Sequence, residues 1–570
     1  MSSISARQLR RSKTSSSSWG LYFTQIFSHF TLSFIKSYLI EAMRAEGMAF
    51  KLVLVLLLFS LPSNLSEDKN DVTIVIKSSA IEAEIDDSFV CATLDWWPHE
   101  KCNYNQCPWG NASVLNLDLN HSYLSKSIQA FSPLRIRVGG SLEDQVVYGV
   151  GSLESSCDPF TYVSGGLFGF SEGCLSTERW DELNHLFQKT GAIVTFGLNA
   201  LYGRHQGRKG LWQGPWNSSN ALDFMEYTVS KGYPVDSWEF GNELSGNGVS
   251  ARVGARQYAK DLIVLKAIID ELYDKYRSKP LIVAPGGFFD NQQWYADLLE
   301  VSGAGVLNAM SHHVYNLGAG NDPHIVSRIM DPNYLSRFAD TFRNVELTIQ
   351  KHGPWSSAWV GEAGGAYNSG SRLVSNTFLN SFWYLDQLGM AATYNTKVYC
   401  RQTLIGGNYG LLDLETFIPN PDYYSALLWH RLMGKGVLSV DIGGSPYLRA
   451  YAHCRKQKPG ISMLLINLSK STGFVVTVRS DQKVLEQTVS QIKNEVSDGS
   501  ERREEYHLSG KDGDYLSRTV LLNGNPLQLT EDGEIPELIP VLNAVNHPLS
   551  IAPLSIAFVV FPSFEADSCA

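Results

Sequence analysis

No hydrophobic stretch suited to crossing a bilayer stands out in the 570-residue sequence, because the apolar run at residues 52–61 is about half the length of a spanning helix. An extended basic stripe is also missing beyond the first fifty residues, and 47 Lys and Arg face 57 Asp and Glu, a formal charge of −10. Phosphate neutralisation requires clustered cations, so no nucleic-acid partner is expected. The eight cysteines contain no C-x-x-C redox pair. Neither a G-x-x-x-x-G-K-[ST] phosphate loop nor a dinucleotide fingerprint behind a strand is found, and there is no short-period repeat. What is present is 44% hydrophobic residues, too many for disorder and enough for a sizeable core. The length allows a barrel of about 250 residues plus a smaller module, and excludes a small disulfide scaffold.

The run at 52–61 follows Arg44 and Lys51 and precedes Pro62 and Ser63, the layout of a secretory signal. Its depth in the chain, behind a Ser-rich stretch at 15–18, points to Met43 or Met48 as the true start. Residues 1–63 are therefore read as an extension plus signal segment, with a buried core helix at 52–61 as the blander alternative. Without them, 40 basic and 55 acidic residues remain, a charge of −15. All eight cysteines lie after the signal, and in an oxidising compartment Cys102 and Cys107 read as disulfide partners more readily than as zinc ligands. Asn111, Asn120, Asn217 and Asn467 head N-x-[ST] sequons, as candidate glycosylation sites of an exported chain.

Between residues 88 and 434, short β-branched runs alternate with longer amphipathic stretches, the pattern of parallel strands joined by helices. Eight strands are expected, at 88–95, 134–139, 192–200, 237–243, 281–285, 307–315, 358–362 and 396–402. Helices are expected at 180–190, 221–231, 256–276, 292–301, 334–352, 375–388 and 422–433. The fold class is thus α/β, a catalytic (β/α)₈ TIM barrel over 88–434. After Gly434 the rhythm changes to strand-like runs at 448–453, 463–467, 474–478, 519–522 and 556–561, punctuated by Gly, Asn and Pro. Residues 435–565, joined by 70–87 with an extra strand at 72–76, are expected to form a discontinuous antiparallel β-sandwich beside the barrel.

Reacting groups of such a barrel sit at the carboxyl ends of its strands. The fourth expected strand ends W-E-F-G-N-E at Glu243, and the seventh ends W-V-G-E at Glu362 before small residues. Two carboxylates facing each other across the mouth, about 5–5.5 Å apart, can cleave a glycosidic bond as proton donor and nucleophile. Glu243 is read as the acid/base, Glu362 as the nucleophile, and Asn242 as a partner of the sugar 2-hydroxyl. On residue type alone each glutamate would be an ordinary solvated or ion-paired group; the paired strand-end setting reverses that weighting. Glu239 falls deeper on the face of Glu243 by period-two alternation, so Arg135 or Arg137 is its expected partner.

Competing constellations are weaker. Gly169-Phe-Ser-Glu-Gly173 matches a nucleophile elbow, but its Ser171 follows a Gly-rich loop instead of a strand. His312 and His313 are adjacent on a strand, point to opposite faces and so do not share an ion. No metal and no cofactor are expected. Trp96, Trp97 and Tyr315 fall at strand ends where their faces could stack on a sugar.

Residues 238–244, 360–367, 196–201 and Arg401-Gln402 followed by Gly407-Asn408-Tyr409 together resemble the heparanase-like β-glucuronidases, glycoside hydrolase family 79, and most nearly their plant branch. The likeness covers nearly all of 70–565. It implies a retaining β-glucuronidase with barrel and sandwich domains, acting on arabinogalactan-type glycans or glucuronide conjugates. By matched position it implies the acid/base motif at Asn242 and Glu243 and the nucleophile at Glu362. It also implies substrate-hydroxyl contacts at Asp95 and Ser141, the latter a change from threonine, and a uronate-carboxylate pocket at Tyr367, Tyr409 and the Gly407 backbone, with Tyr315 a looser match. The implied location is extracellular, in the cell wall, with the vacuole or lysosome as the alternative and peripheral membrane association left open.

Three departures narrow the substrate. Gly286-Gly-Phe-Phe-Asp290 replaces an Arg-containing loop of the animal enzymes. The stretch between Gly140 and Phe196 is shorter than the one that carries an excised linker, which argues against two-chain maturation. The loop after Arg401 is one residue shorter. With the acidic charge, these disfavour heparan sulfate. The alternatives are another barrel glycosidase such as an arabinofuranosidase, or a carbohydrate-binding pseudoenzyme.

Overall fold

Eight short strands, each rich in β-branched and aromatic residues, pair edge to edge in chain order and close on themselves. They are β1 (Val90–Leu94), β2 (Arg135–Val138), β3 (Ile193–Leu198), β4 (Ser237–Phe240), β5 (Leu281–Gly287), β6 (Ala309–Val314), β7 (Ser357–Ala363) and β8 (Thr396–Arg401). All the pairs are parallel, so this is the expected barrel. The computed structural model describes residues 69–153, 157–482 and 501–569. The expected signal segment lies outside the described residues.

The helices form where apolar periodicity and capping residues coincide. Thr177–Thr190 starts at Ser176, whose hydroxyl accepts from the Arg179 amide, and stops at Gly191 in a left-handed conformation. The single helix expected over 334–352 is two, Pro332–Ser336 and Ala339–His352. A further helix, Ser122–Gln129, follows β1.

The second module has two facing sheets. A nine-stranded sheet includes Leu448–Arg455, Ile461–Asn467, Arg502–Gly510 and Ser555–Phe561, and a four-stranded one includes Gly473–Ser480 and Lys69–Ile76. The early strand pairs parallel to Gly473–Ser480, so the second module is not wholly antiparallel. The strand Arg502–Gly510 escapes sequence reading because R-R-E-E opens it; there Arg503 and Glu505 are buried and pair at 2.6 Å.

Central strands of the larger sheet are apolar on both faces because both are covered. Met463, Leu465, Ala557 and Val559 point into the sandwich, while Leu464, Ile466, Phe558 and Val560 join the barrel's outer core. The helices against that face, Phe378–Thr393 and Pro421–Leu432, are almost wholly buried. Close approach is set by Gly389, where a Cβ would come within about 2.3 Å of the Tyr451 ring. Tyr451 in turn donates to Asp386 at 2.6 Å.

Four disulfides are formed: Cys91–Cys400, Cys102–Cys107, Cys157–Cys174 and Cys454–Cys569. The expected Cys102–Cys107 pair is among them. Cys91–Cys400 links β1 to β8 inside the barrel, where the two residues are register partners. No helix among the described residues is long and apolar enough to cross a membrane.

Alanine is the better helix former by about 1 kcal/mol, yet Gly389→Ala is expected to lower stability by roughly 1–3 kcal/mol, because the new methyl meets the Tyr451 ring. Denaturant unfolding measures the sign, and a stabilised variant would contradict this docking of the helix on the sheet.

Candidate active site

The carboxyl ends of the barrel strands converge on a buried guanidinium. Arg137, on β2, is 1% exposed and spreads three directions of hydrogen bonding across the barrel. Its Nε donates to Glu239 at 2.5 Å, Nη1 to Glu362 at 2.8 Å and Nη2 to Asn242 Oδ1 at 2.8 Å. Arg135, two residues earlier and also inward, pairs with Asp236 at 2.5 Å and lies over the Trp359 ring. Of the two expected partners for Glu239, Arg137 is therefore the one found.

Glu362 is the penultimate residue of β7 and accepts a second hydrogen bond from the Tyr315 hydroxyl at 2.5 Å. Burial and the adjacent Glu362 charge push the Tyr315 phenol well above its ordinary range, so it keeps its proton and donates. Glu243 departs from the expectation in one respect: β4 stops at Phe240, and Glu243 stands in the following turn with φ +54°. Gly241, at φ +70°, turns the chain out of the strand, which defeats a face assignment by simple alternation. The Glu243 amide donates to Gly286 O at 2.7 Å and its carboxyl meets His313 Nδ1 at 3.1 Å. Burial pushes the Glu243 carboxyl up to about 7, against a smaller lowering by Arg137. Burial pushes His313 down to about 3, so its imidazole is neutral.

One oxygen of Glu243, one of Glu362 and one His313 nitrogen lie within 4.8 Å of one another. These atoms could geometrically surround an ion. The Arg137 guanidinium is already 2.8 Å from Glu362, however, and a divalent cation there would face that fixed positive charge. As expected, His312 points the other way, against Phe342 on the helix outside the barrel.

Asp95, just past β1, accepts from the Trp96 amide at 2.7 Å and from Gln402 Nε2 at 2.8 Å. Burial, then the Glu362 charge, pushes its carboxyl up to about 7. Ser141 is half-buried after Gly140, where a Cβ would come within 2.6 Å of the Asp95 carboxylate. Tyr409 is buried with its ring clasped by glycines: Cβ atoms at Gly364, Gly370 and Gly407 would lie 3.1, 2.6 and 2.6 Å from it. Gly407 has φ +62°. Tyr367, by contrast, is 43% exposed at the end of the two-residue strand Ala366–Tyr367. The loop at 286–290 brings Phe288 beside His313 and Tyr315, as an apolar wall.

Several participants escape sequence reading. Asp144 accepts from the amides of both Ala200 and Asn242 at 2.8 Å, tying the ends of β3 and β4 together, although burial pushes it up to about 7. Glu143 lies 3.9 Å from Arg137, and its carboxyl fills the space beside Gly197. Burial and then Glu239 push it well above its ordinary range. The usable signal was R-I-R-V in β2: two inward arginines in a barrel require carboxylates. Ser171 of the G-x-S-x-G match precedes a strand, Gly173–Ser176, and its hydroxyl donates to Glu172 O, so it is no nucleophile elbow.

Asn111, Asn120 and Asn217 are exposed. Asn467 is a correction: it is fully buried, and its Nδ2 donates to Thr472 O at 2.9 Å and Ala552 O at 2.8 Å, so the folded chain cannot present that amide to a glycan.

The sequence profile described as Glycosyl hydrolase family 79, N-terminal domain, matches residues 71–389. The chain belongs to glycoside hydrolase family 79. Within it, Heparanase-like protein 2 of Arabidopsis thaliana is 58% identical over 539 residues, 92% of this chain and 100% of that one. Baicalin-beta-D-glucuronidase of Scutellaria baicalensis is 40% identical over 84% of this chain and 90% of its own. Among solved structures, a 4-O-alpha-L-rhamnosyl-beta-D-glucuronidase from Fusarium oxysporum shares the fold, with a TM-score of 0.61 at 15% identity over 86% of this chain and 100% of that one. This member of the family is a glycoside hydrolase, and a carbohydrate substrate fits that activity.

Because burial pushes the Glu243 carboxyl from an ordinary 4.5 up to about 7 in the fold, raising the pH through that window deprotonates the unfolded chain first and destabilises the fold. Glu243→Gln removes this penalty. It is expected to be more stable than wild type at pH 8 by roughly 3 kcal/mol, and so to melt at a higher temperature, with the difference shrinking towards pH 4.5. A difference independent of pH, followed calorimetrically, would place the Glu243 carboxyl in water.

Proposed function

We propose that this glycoside hydrolase is a retaining β-glucuronidase that releases glucuronic acid from arabinogalactan-type glycans or glucuronide conjugates. The observation that carries the reading is that one oxygen of Glu243 lies within 4.8 Å of one of Glu362, in keeping with the roughly 5–5.5 Å carboxyl separation of retaining enzymes. Glu362, oriented by Arg137 and Tyr315, attacks the anomeric carbon. Glu243, protonated below about pH 7, gives its proton to the departing oxygen, then takes one from the water that releases the glycosyl-enzyme. Asn242 is suited to the sugar 2-hydroxyl, since its Oδ1 is fixed by Arg137 while its Nδ2 is a buried donor with no partner among the described residues.

Selection of a uronate is assigned to the Tyr409 hydroxyl and the backbone around Gly407. Burial, followed by the Glu362 and Asp95 charges, raises the Tyr409 phenol, which keeps it a donor. Asp95 and Ser141 are assigned to sugar hydroxyls; the exposed Tyr367 has a place at the rim at most. The glucuronidase name of the Scutellaria relative supports the substrate class. Four disulfides support an oxidising, extracellular setting, with Asn111, Asn120 and Asn217 as the accessible sequons.

A panel of aryl β-glucuronides, β-glucosides and α-arabinofuranosides tests the reading. Glucuronide is expected to be preferred by at least about a hundredfold over glucoside, because a site of buried donors loses their hydrogen bonds when the carboxylate is absent. Tyr409→Phe is expected to narrow that gap chiefly through KM. Equal turnover of glucoside and glucuronide contradicts the substrate class. Glu243→Gln should leave the first step on substrates with good leaving groups nearly intact, whereas Glu362→Gln should abolish it; the reverse pattern in burst kinetics exchanges the two roles.

A further inference from the structure

The loop after β1 contains a miniature hairpin whose purpose the reaction does not explain. Asn103 and Gln106 exchange backbone hydrogen bonds at 2.8 and 2.9 Å, and Tyr104 and Asn105 between them have φ +54° and +60°. Two consecutive left-handed residues make a tight turn of the mirror-image type, which non-glycine residues resist. Cys102–Cys107 locks the turn from outside.

From this hairpin, side chains reach two loops far along the chain. Asn103 Oδ1 accepts from Ser369 Oγ at 2.9 Å, and Ser369 Oγ itself accepts from Trp109 Nε1 at 2.9 Å. The Tyr104 hydroxyl accepts from Asn368 Nδ2 at 2.8 Å, and Gln106 Oε1 accepts from Asn408 Nδ2 at 3.4 Å. Residues 368, 369 and 370 have φ of +58°, +71° and +76°, three left-handed residues in a row, two of them not glycine. Such a backbone persists only when its surroundings over-determine it, and here the hairpin supplies much of that restraint. The strained loop ends at Gly370, whose missing side chain lets it abut the Tyr409 ring, and Ser369 O accepts from the Asn408 amide at 2.7 Å beside Gly407.

We propose that the Cys102–Cys107 hairpin is a specificity buttress, in which Asn103, Tyr104 and Gln106 hold the 368–370 and 407–408 loops where they fix the Tyr409 hydroxyl for a uronate carboxylate. Asn103 is then a positioning residue: it touches no substrate and acts through Ser369 and the Tyr409 ring. This inference rests on the proposed glucuronide reading of the same pocket.

The test compares aryl β-glucuronide with aryl β-glucoside on wild type, Asn103→Ala, Asn103→Asp, Cys102→Ser/Cys107→Ser and Tyr409→Phe. Asn103→Ala and the double cysteine variant are expected to raise KM for the glucuronide about tenfold with kcat within about twofold, leaving the glucoside constants unchanged. Asn103→Asp, which keeps the acceptor oxygen, restores most of the affinity. Should the double variant not fold, Asn103→Ala, with the disulfide intact, decides. Unchanged glucuronide KM in Asn103→Ala, with Tyr409→Phe impaired, overturns the buttress and spares the substrate reading. Equal losses on both substrates overturn it as general damage. A wild type without glucuronide preference removes the substrate reading, and the buttress with it.

Discussion

A guanidinium sealed inside a barrel is costly unless every face of it is answered, and the site is arranged to answer Arg137. Glu239 takes one edge, Glu362 a second and Asn242 a third, with Glu143 close by. Glu239 and Asn242 come from the end of β4, Glu362 from β7 and Glu143 from the turn after β2, so satisfying one cation draws these three places to a common point. Truncating such a side chain would leave several carboxyls buried without a counter-charge, a loss typically of about 3–5 kcal/mol. The same contacts that make Arg137 tolerable orient the carboxylate proposed to attack the sugar. Stability and site geometry therefore share one residue.

Around that centre, strain and close approach do the fine placement. Glu243 reaches its position by a left-handed turn after Gly241, anchored on Gly286 O and the Asp144 clamp on Asn242. Tyr409 is held by three glycines whose missing side chains let loops lie against its ring. Phe288 and neutral His313 form a wall without positive charge, in keeping with the expectation from sequence that heparan sulfate is disfavoured.

Much of this was legible in the sequence because its signals are local. The eight strands announce themselves as short β-branched runs, and Glu243 and Glu362 stand out as carboxylates at the ends of two of them. The runs at 463–467 and 556–561 likewise announce strands of the second module. What stayed hidden depends on contacts distant in sequence. Cys91 and Cys400 are 309 residues apart and meet only because β8 closes on β1. The buried role of Asn467 depends on the carbonyl of Ala552, and the Asp144 clamp on amides from two other strand ends. Glu243 left its expected strand because one glycine turned the chain, which no periodicity records. Arg502–Gly510 was masked because its buried ion pair looks in sequence like a solvated run.

The central claim is that the chain holds Glu243 and Glu362 close enough for a double displacement, and the stereochemistry of the first product tests it most directly. Proton NMR of an aryl β-glucuronide hydrolysed by the intact chain, recorded before mutarotation, should show β-glucuronic acid appearing first and the α-anomer following. The α-anomer appearing first would mean a single inverting displacement by water, and the carboxylate arrangement built around Arg137 would have been misread.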